Sequence, residues 1–235
     1  MASLTAAQLL ELWDHGSRRH PLDRSLLLLT LAAPERSADT LVELPLGACN
    51  AALMRLRCAT FGNRLPVWMD CPHCGERLEF ELDPQQLPPM YPPPAHIEVD
   101  GYRFRCPANR DLFEVAGSAD VDHAARRLLL GCADAGTALP DDEQALQELL
   151  ATVETALEAA DPWADLSLDF DCPACERSAS ASFDVSHYLW EEIDGQARQL
   201  LDEVHLLAQA YGWSEPEILA LSASRRSAYL ARVSP

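Results

Sequence analysis

The sequence contains no lysine: all 18 of its basic residues are arginine. That is a mark of coding bias rather than of mechanism, yet positive charge of any kind is scarce. Against 37 acidic residues it leaves a net charge of -19, which repels phosphate backbones and anionic membranes and suits neutral or basic protein partners. Long apolar runs are missing as well. The strongest, Leu26 to Ala33, is far short of the roughly 20 residues that a membrane span requires. The stretch MASLTAAQLLELWDHG has no basic leader before an apolar core and carries Glu11 and Asp14 where a secretion signal would be apolar. A soluble, cytoplasmic chain without membrane contact is therefore expected. HExxH, P-loop, GxGxxG and GxSxG motifs are all absent, and the seven histidines are scattered, so no catalytic residue is assigned and no enzymatic activity is expected. The DVDH segment, Asp120 to His123, could be imagined as a hard-metal site, but an Asp at a helix start is read as a cap.

What the sequence does have is a repeated pattern. MDCPHCGERLEFELD, Met69 to Asp83, returns as FDCPACERSASASFD, Phe170 to Asp184, with nearly half the chain between the two copies. Each Cys-Pro-x-Cys turn puts two thiols on one side of a tight loop and supplies half of a tetrahedral shell. Two such turns make the closed four-sulfur shell of structural zinc. Cys71, Cys74, Cys172 and Cys175 are accordingly expected to form one zinc site. Loop-closure entropy allows the separation, because roughly 100 intervening residues instead of about 20 add only about 1.4 kcal/mol, against on the order of 10 kcal/mol or more from structural zinc. Another metal, or a redox pair, is the alternative, although a redox CxxC normally opens a helix and here strands lie on both sides. His73, inside the first turn, is expected to face solvent. Cys49, Cys58, Cys106 and Cys132 have no ligand spacing and are read mostly as small buried hydrophobes. Gly75 follows Cys74, where a left-handed residue is often needed, but Glu176 follows Cys175, and strain there would make the second knuckle the weaker.

The periodicity predicts an α+β fold, mainly helical, with a split zinc ribbon of two CxxC hairpins and a C-terminal helical segment. Residues 1–64 read as helical, beginning with a helix that has Thr5 as N-cap, Gln8 completing a capping box and Gly16 as terminator. Residues 65–83 form the first knuckle hairpin, with Leu78, Phe80 and Leu82 on one face and Glu79 and Glu81 on the other. Residues 84–95 are a proline-rich linker or strap. Residues 96–163 form an inserted subdomain, a hairpin turning at Asp100-Gly101 followed by helical patterns at roughly 109 to 132 and 142 to 160. The second knuckle occupies 164–185. Residues 186–235 are helical, with a long apolar stripe from Leu189 through Ile193, Ala197 and Leu200 to Tyr211, a stop at Gly212 and a new cap at Ser214.

The knuckles are surrounded by Asp70, Glu76, Glu79, Glu81, Asp169, Asp171 and Glu176, so a nucleic-acid-binding zinc-ribbon regulator is the alternative function and not the leading one. Trp190, Tyr211, Trp213, Arg225, Arg226 and Tyr229 are the residue types that anchor protein interfaces, and they are assigned here as a partner-binding surface. Local burial of the aromatics against the ribbon is the other reading.

The pattern HxLAxAYGWSExEILALSxxRRxxYL, matched from His205 to Leu230, together with the paired CPxC hairpins, resembles the zinc-ribbon proteins encoded with contractile phage tails and contractile injection systems, often labelled baseplate hub assembly proteins or chaperones. The resemblance runs from HPLDRSLLLL through both knuckles. It implies a non-enzymatic zinc protein that assists assembly of the baseplate, or forms a minor part of it, with baseplate or tail-hub proteins as partners and incorporation into a tail particle as one destination.

Overall fold

Thr5 caps the first helix, α1 (Ala6–Gly16), in a complete capping box with Gln8, and His20 precedes α2 (Pro21–Ala32), whose proline at the first position costs no hydrogen bond. A five-residue helix, α3 (Ala38–Val42), capped by Ser37, is too short to show an apolar period and was not expected. Then comes α4 (Leu46–Phe61). The computed structural model describes residues 3–82 and 87–233.

The first knuckle is β1 (Leu65–Asp70) paired antiparallel with β2 (Arg77–Leu82), Leu65 opposite Leu82 and Asp70 opposite Arg77. Within the insert, β3 (Ile97–Val99) and β4 (Tyr102–Phe104) turn at Asp100 and Gly101, both at positive φ (50° and 83°) as a type I′ turn requires. The single helical pattern expected over 109–132 is two helices, α5 (Asn109–Val115) and α6 (Val121–Gly131). Gly117 breaks the first, and the Asp120 carboxylate, accepting from the His123 N–H at 3.1 Å, starts the second. After α7 (Glu143–Ala160) the second knuckle pairs β5 (Ser167–Asp171) with β6 (Ser178–Ser182). Helix α8 (Val185–Tyr211) ends at left-handed Gly212, and α9 (Glu215–Leu219) and α10 (Ala223–Val233) close the chain.

The main core packs α1, α2, α4 and α8 together, with Leu28, Leu29, Leu53, Leu189 and Ile193 wholly excluded from solvent. The insert has a second buried cluster, Val99, Phe104, Cys106, Cys132, Leu149, Val153 and Leu157. Two points of the insert, one just after its hairpin and one at its C-terminal end, converge on the start of α4. Leu46 N–H donates to the Pro107 carbonyl at 2.9 Å, and Gly47 N–H donates to the Asp161 carboxylate at 3.0 Å. Asp161 thus caps a helix remote from it in sequence, and a Cβ at position 47 would lie 1.7 Å from its Oδ1, so only glycine fits there. Residues 84–86 of the proline-rich segment lie outside the described residues; after them Leu87 packs on the main core, and the Trp163 indole N–H donates to the Pro88 carbonyl at 2.9 Å.

Candidate metal centre

Both knuckles are built the same way. Cys71 N–H donates to the Glu76 carbonyl at 2.8 Å and Gly75 N–H to the Cys71 carbonyl at 2.8 Å. In the second, Cys172 N–H meets the Arg177 carbonyl at 3.0 Å and Glu176 N–H the Cys172 carbonyl at 2.8 Å. The turn closes only if the residue after the second cysteine is left-handed, and it is so in both copies: Gly75 has φ 75° and Glu176 φ 55°. The second knuckle therefore carries strain that the first does not, on the order of 1 kcal/mol for a residue with a Cβ. Glu176→Gly, which removes no contact of an exposed side chain, is expected to raise the denaturation midpoint by the equivalent of about 0.5–1 kcal/mol after the entropy of the new glycine is subtracted. Gly75→Ala should lower it. A chelator competition should rank metal retention in the same order.

The hairpins meet because the helices that carry them meet. β1 leaves the C-terminal end of α4, and β6 runs into the N-terminal end of α8. Arg57, on α4 and fully buried, holds this junction: its Nε and Nη2 donate to the two oxygens of Glu192 on α8 at 2.7 and 2.6 Å, and its Nη1 donates to the Gly62 and Arg64 carbonyls at 2.7 and 2.6 Å. Tyr188, whose ring lies 5.3 Å from the guanidinium, donates its hydroxyl to the Pro66 carbonyl at the root of β1. Burial opposes the charge on Arg57, but the hydrogen bonds and charge of Glu192, together with Tyr188, outweigh it and raise the Arg57 pKa above its ordinary value.

At the hairpin tips the four sulfurs of Cys71, Cys74, Cys172 and Cys175 lie within 4.8 Å of one another. Cys71 Sγ is 3.8 Å from Cys175 Sγ, and Cys74 Sγ is 3.7 Å from Cys172 Sγ. These separations are far too long for disulfides, whose S–S bond is about 2.05 Å, and all eight cysteines are free thiols. They match the edge of a thiolate tetrahedron: a metal–sulfur bond of about 2.3 Å implies sulfurs about 3.8 Å apart. Cys71 and Cys172 are buried, Cys175 half-buried and Cys74 exposed, so the shell sits at the surface with its inner half sealed.

The thiols of Cys71, Cys74 and Cys175 do not ionise alike. Burial raises the Cys71 thiol, but the backbone N–H groups of His73 and Cys74 outweigh it and draw its pKa down to about 6. At Cys74 the Glu76 N–H works in the same sense, yet burial and the neighbouring sulfurs prevail and push it up to about 12, and Cys175 also moves upward. A divalent cation held by Cys71, Cys74, Cys172 and Cys175 would remove that conflict by displacing the thiol protons. His73 is exposed, with Nε2 3.4 Å from the Ser178 carbonyl, outside the sulfur shell.

Cys49, Cys106 and Cys132 are buried and Cys58 half-buried. Burial pushes Cys49 and Cys106 up to about 11 and Cys132 to about 12, so these three are inert.

The residues expected to form a partner surface divide into two groups. Trp190 does not belong to such a surface: it is buried against Gly16, where an added Cβ would lie 2.4 Å from its ring, and Arg24 covers its face at 4.9 Å. Arg226 is also buried, donating to Glu203 at 2.7 Å and to the Leu221 carbonyl at 2.8 Å, because it ties α10 to α8. Tyr211, Trp213 and Tyr229 form one aromatic cluster, Trp213 stacked on Tyr211 at 4.7 Å and Tyr229 edge-on to both, at the surface beside exposed Arg225. Sequence reasoning missed Arg57 and Glu192; the available signal was the two arginines inside the apolar run AALMRLRC, of which Arg55 is exposed and Arg57 buried.

Among the described residues no helix is long and apolar enough to cross a membrane. A family model described as T4 bacteriophage base plate protein matches residues 32–190, well over half of the chain and including both knuckles. No curated protein and no solved structure matches.

Proposed function

The chain belongs to the T4 bacteriophage base plate protein family, and from that membership we propose that it is a non-enzymatic, zinc-stapled protein that assists assembly of the baseplate of a contractile phage tail or injection system, or remains in it as a minor part. The observation that carries the reading is the family match, which spans α4, both hairpins with both sulfur pairs, and the first turns of α8. Zinc is the metal of choice because four thiolates close the shell and leave no position open to a substrate, and because zinc needs no redox chemistry to hold two turns together. The acidic side chains around the knuckles support a protein partner over nucleic acid.

Tyr211, Trp213, Tyr229 and Arg225 are proposed as the docking face, since they combine aromatic area with an accessible cation on helices fixed to the core. Mass spectrometry of proteins captured by a tagged copy in a producing cell, set beside the composition of purified particles, tests the reading. Baseplate or hub proteins captured, with this chain absent from finished particles, would make it an assembly chaperone; a fixed stoichiometry in the particle would make it a component. Capture of nucleic acid alone would overturn it. Trp213→Ala combined with Arg225→Ala should leave the melting temperature within a few degrees and abolish that capture, and unchanged capture would make the cluster purely structural.

A further inference from the structure

We propose a second docking surface: the groove between the two knuckle hairpins receives an extended, basic segment of a partner protein, which adds as a strand to the free edge of β2. The groove has a volume of about 610 Å³, and Leu78 and Phe80 on one wall and Phe170 on the other leave apolar surface half-exposed within it. β2 is paired only with β1, and β5 only with β6, among the described residues. Both walls are therefore strand edges.

The register says which backbone groups those edges offer. The bond from Cys71 N–H to the Glu76 carbonyl fixes 71 and 76 as a hydrogen-bonded pair. Hydrogen-bonded and non-bonded pairs alternate along an antiparallel ladder, so Met69–Leu78 and Val67–Phe80 are bonded, and Trp68–Glu79 and Asp70–Arg77 are not. The N–H and C=O groups of Arg77 and Glu79 consequently point away from β1 into open space. In the second hairpin the bonds Cys172 N–H to Arg177 and Phe183 N–H to Leu166 set the same parity, which turns the backbone of Asp169 and Asp171 outward from β5. A guest strand entering the groove meets unpaired donors and acceptors above an apolar floor, the arrangement that strand addition uses.

Charge selects the guest. Glu76, Glu79 and Asp171 line the rim, and the one arginine there, Arg77, already faces Asp70 at 3.3 Å. An extended segment that alternates apolar and basic residues places its apolar side chains on Phe80 and Phe170 and its cations against the rim. An acidic segment is repelled, as is a phosphate backbone.

The test uses the full-length, metal-loaded protein, isotope-labelled for amide NMR, and a short capped peptide alternating valine and lysine. Chemical-shift changes should be confined to Arg77–Phe80 and the Phe170–Ala174 region, with slowed hydrogen exchange at the Arg77 and Glu79 amides. A version N-methylated on its pairing edge should bind about tenfold more weakly, the equivalent of one or two lost backbone hydrogen bonds. Glu79→Arg, an exposed site, should weaken binding severalfold without moving the melting temperature. Equal binding of the N-methylated or of a valine–glutamate peptide, shifts centred elsewhere, or no binding of the valine–lysine peptide would each overturn the proposal.

Discussion

Replacing Cys71 or Cys172 with serine is expected to release bound metal and unfold the tips of both hairpins while leaving most of the helical signal in place. A structural zinc site contributes on the order of 10 kcal/mol, comparable to the whole stability of a typical domain, and these two ligands are the buried ones. The hairpin tips have little else to hold them together. The first offers half-buried Met69 and Leu78 and the second half-buried Phe170 and Ala179, whereas Val67, Leu82 and Leu168 nearer the roots are buried in the main core. The helical core is different, since Leu28, Leu29, Leu53, Leu189 and Ile193 are buried without help from the metal. Metal content by mass spectrometry, far-ultraviolet circular dichroism and the melting profile together read the result. Cys58→Ser, outside the sulfur shell, is the control and should keep its metal. A Cys71 variant that retains both metal and melting behaviour would dismiss the staple. Acid should reproduce the effect, because each ligand must lose a proton to bind and regains it as the pH falls.

The second large effect is expected at Arg57. Arg57→Met keeps the volume but strands Glu192 and leaves the Gly62 and Arg64 carbonyls without their donor. Removing one partner of a buried pair costs about 3–5 kcal/mol, which should appear as a lower urea midpoint with an unchanged slope. The double substitution with Glu192→Met should recover part of the loss, since the uncompensated charge is then gone. Metal affinity should also fall in the single variant, because the same guanidinium positions the root of the first hairpin relative to α8. A change below about 1 kcal/mol would place the pair among ordinary surface ion pairs.

Helix starts and the hairpin turn of the insert were readable because each depends on a few neighbouring residues: Thr5 with Gln8, Ser214 with Glu217, and Asp100 with Gly101. The break between α5 and α6 was also written locally, in Gly117 and Asp120, but it was hidden by an apolar pattern that continues across it. Trp190 and Arg226 show where residue type misleads. Tryptophan and arginine are common at interfaces, yet whether one is exposed depends on what packs over it, here Arg24 above Trp190 and Glu203 beside Arg226. Asp161 and Gly47 could not be paired from the sequence, because neither position signals the other and the contact exists only once the insert has folded back onto α4.

By itself the sequence determined which four cysteines gather, since each CxxC turn sets two thiols side by side from adjacent residues and the two copies bring four sulfurs together. It also determined the acidic surface and the long amphipathic α8. Tertiary structure decided the rest: that α4 and α8 lie side by side, that a buried guanidinium joins them, that two of six interface-type residues are structural, and that the free edges of β2 and β5 border one groove. The physical reason is range. Caps, turns and thiolate pairs are settled within about four residues, whereas burial and juxtaposition are properties of the packed whole.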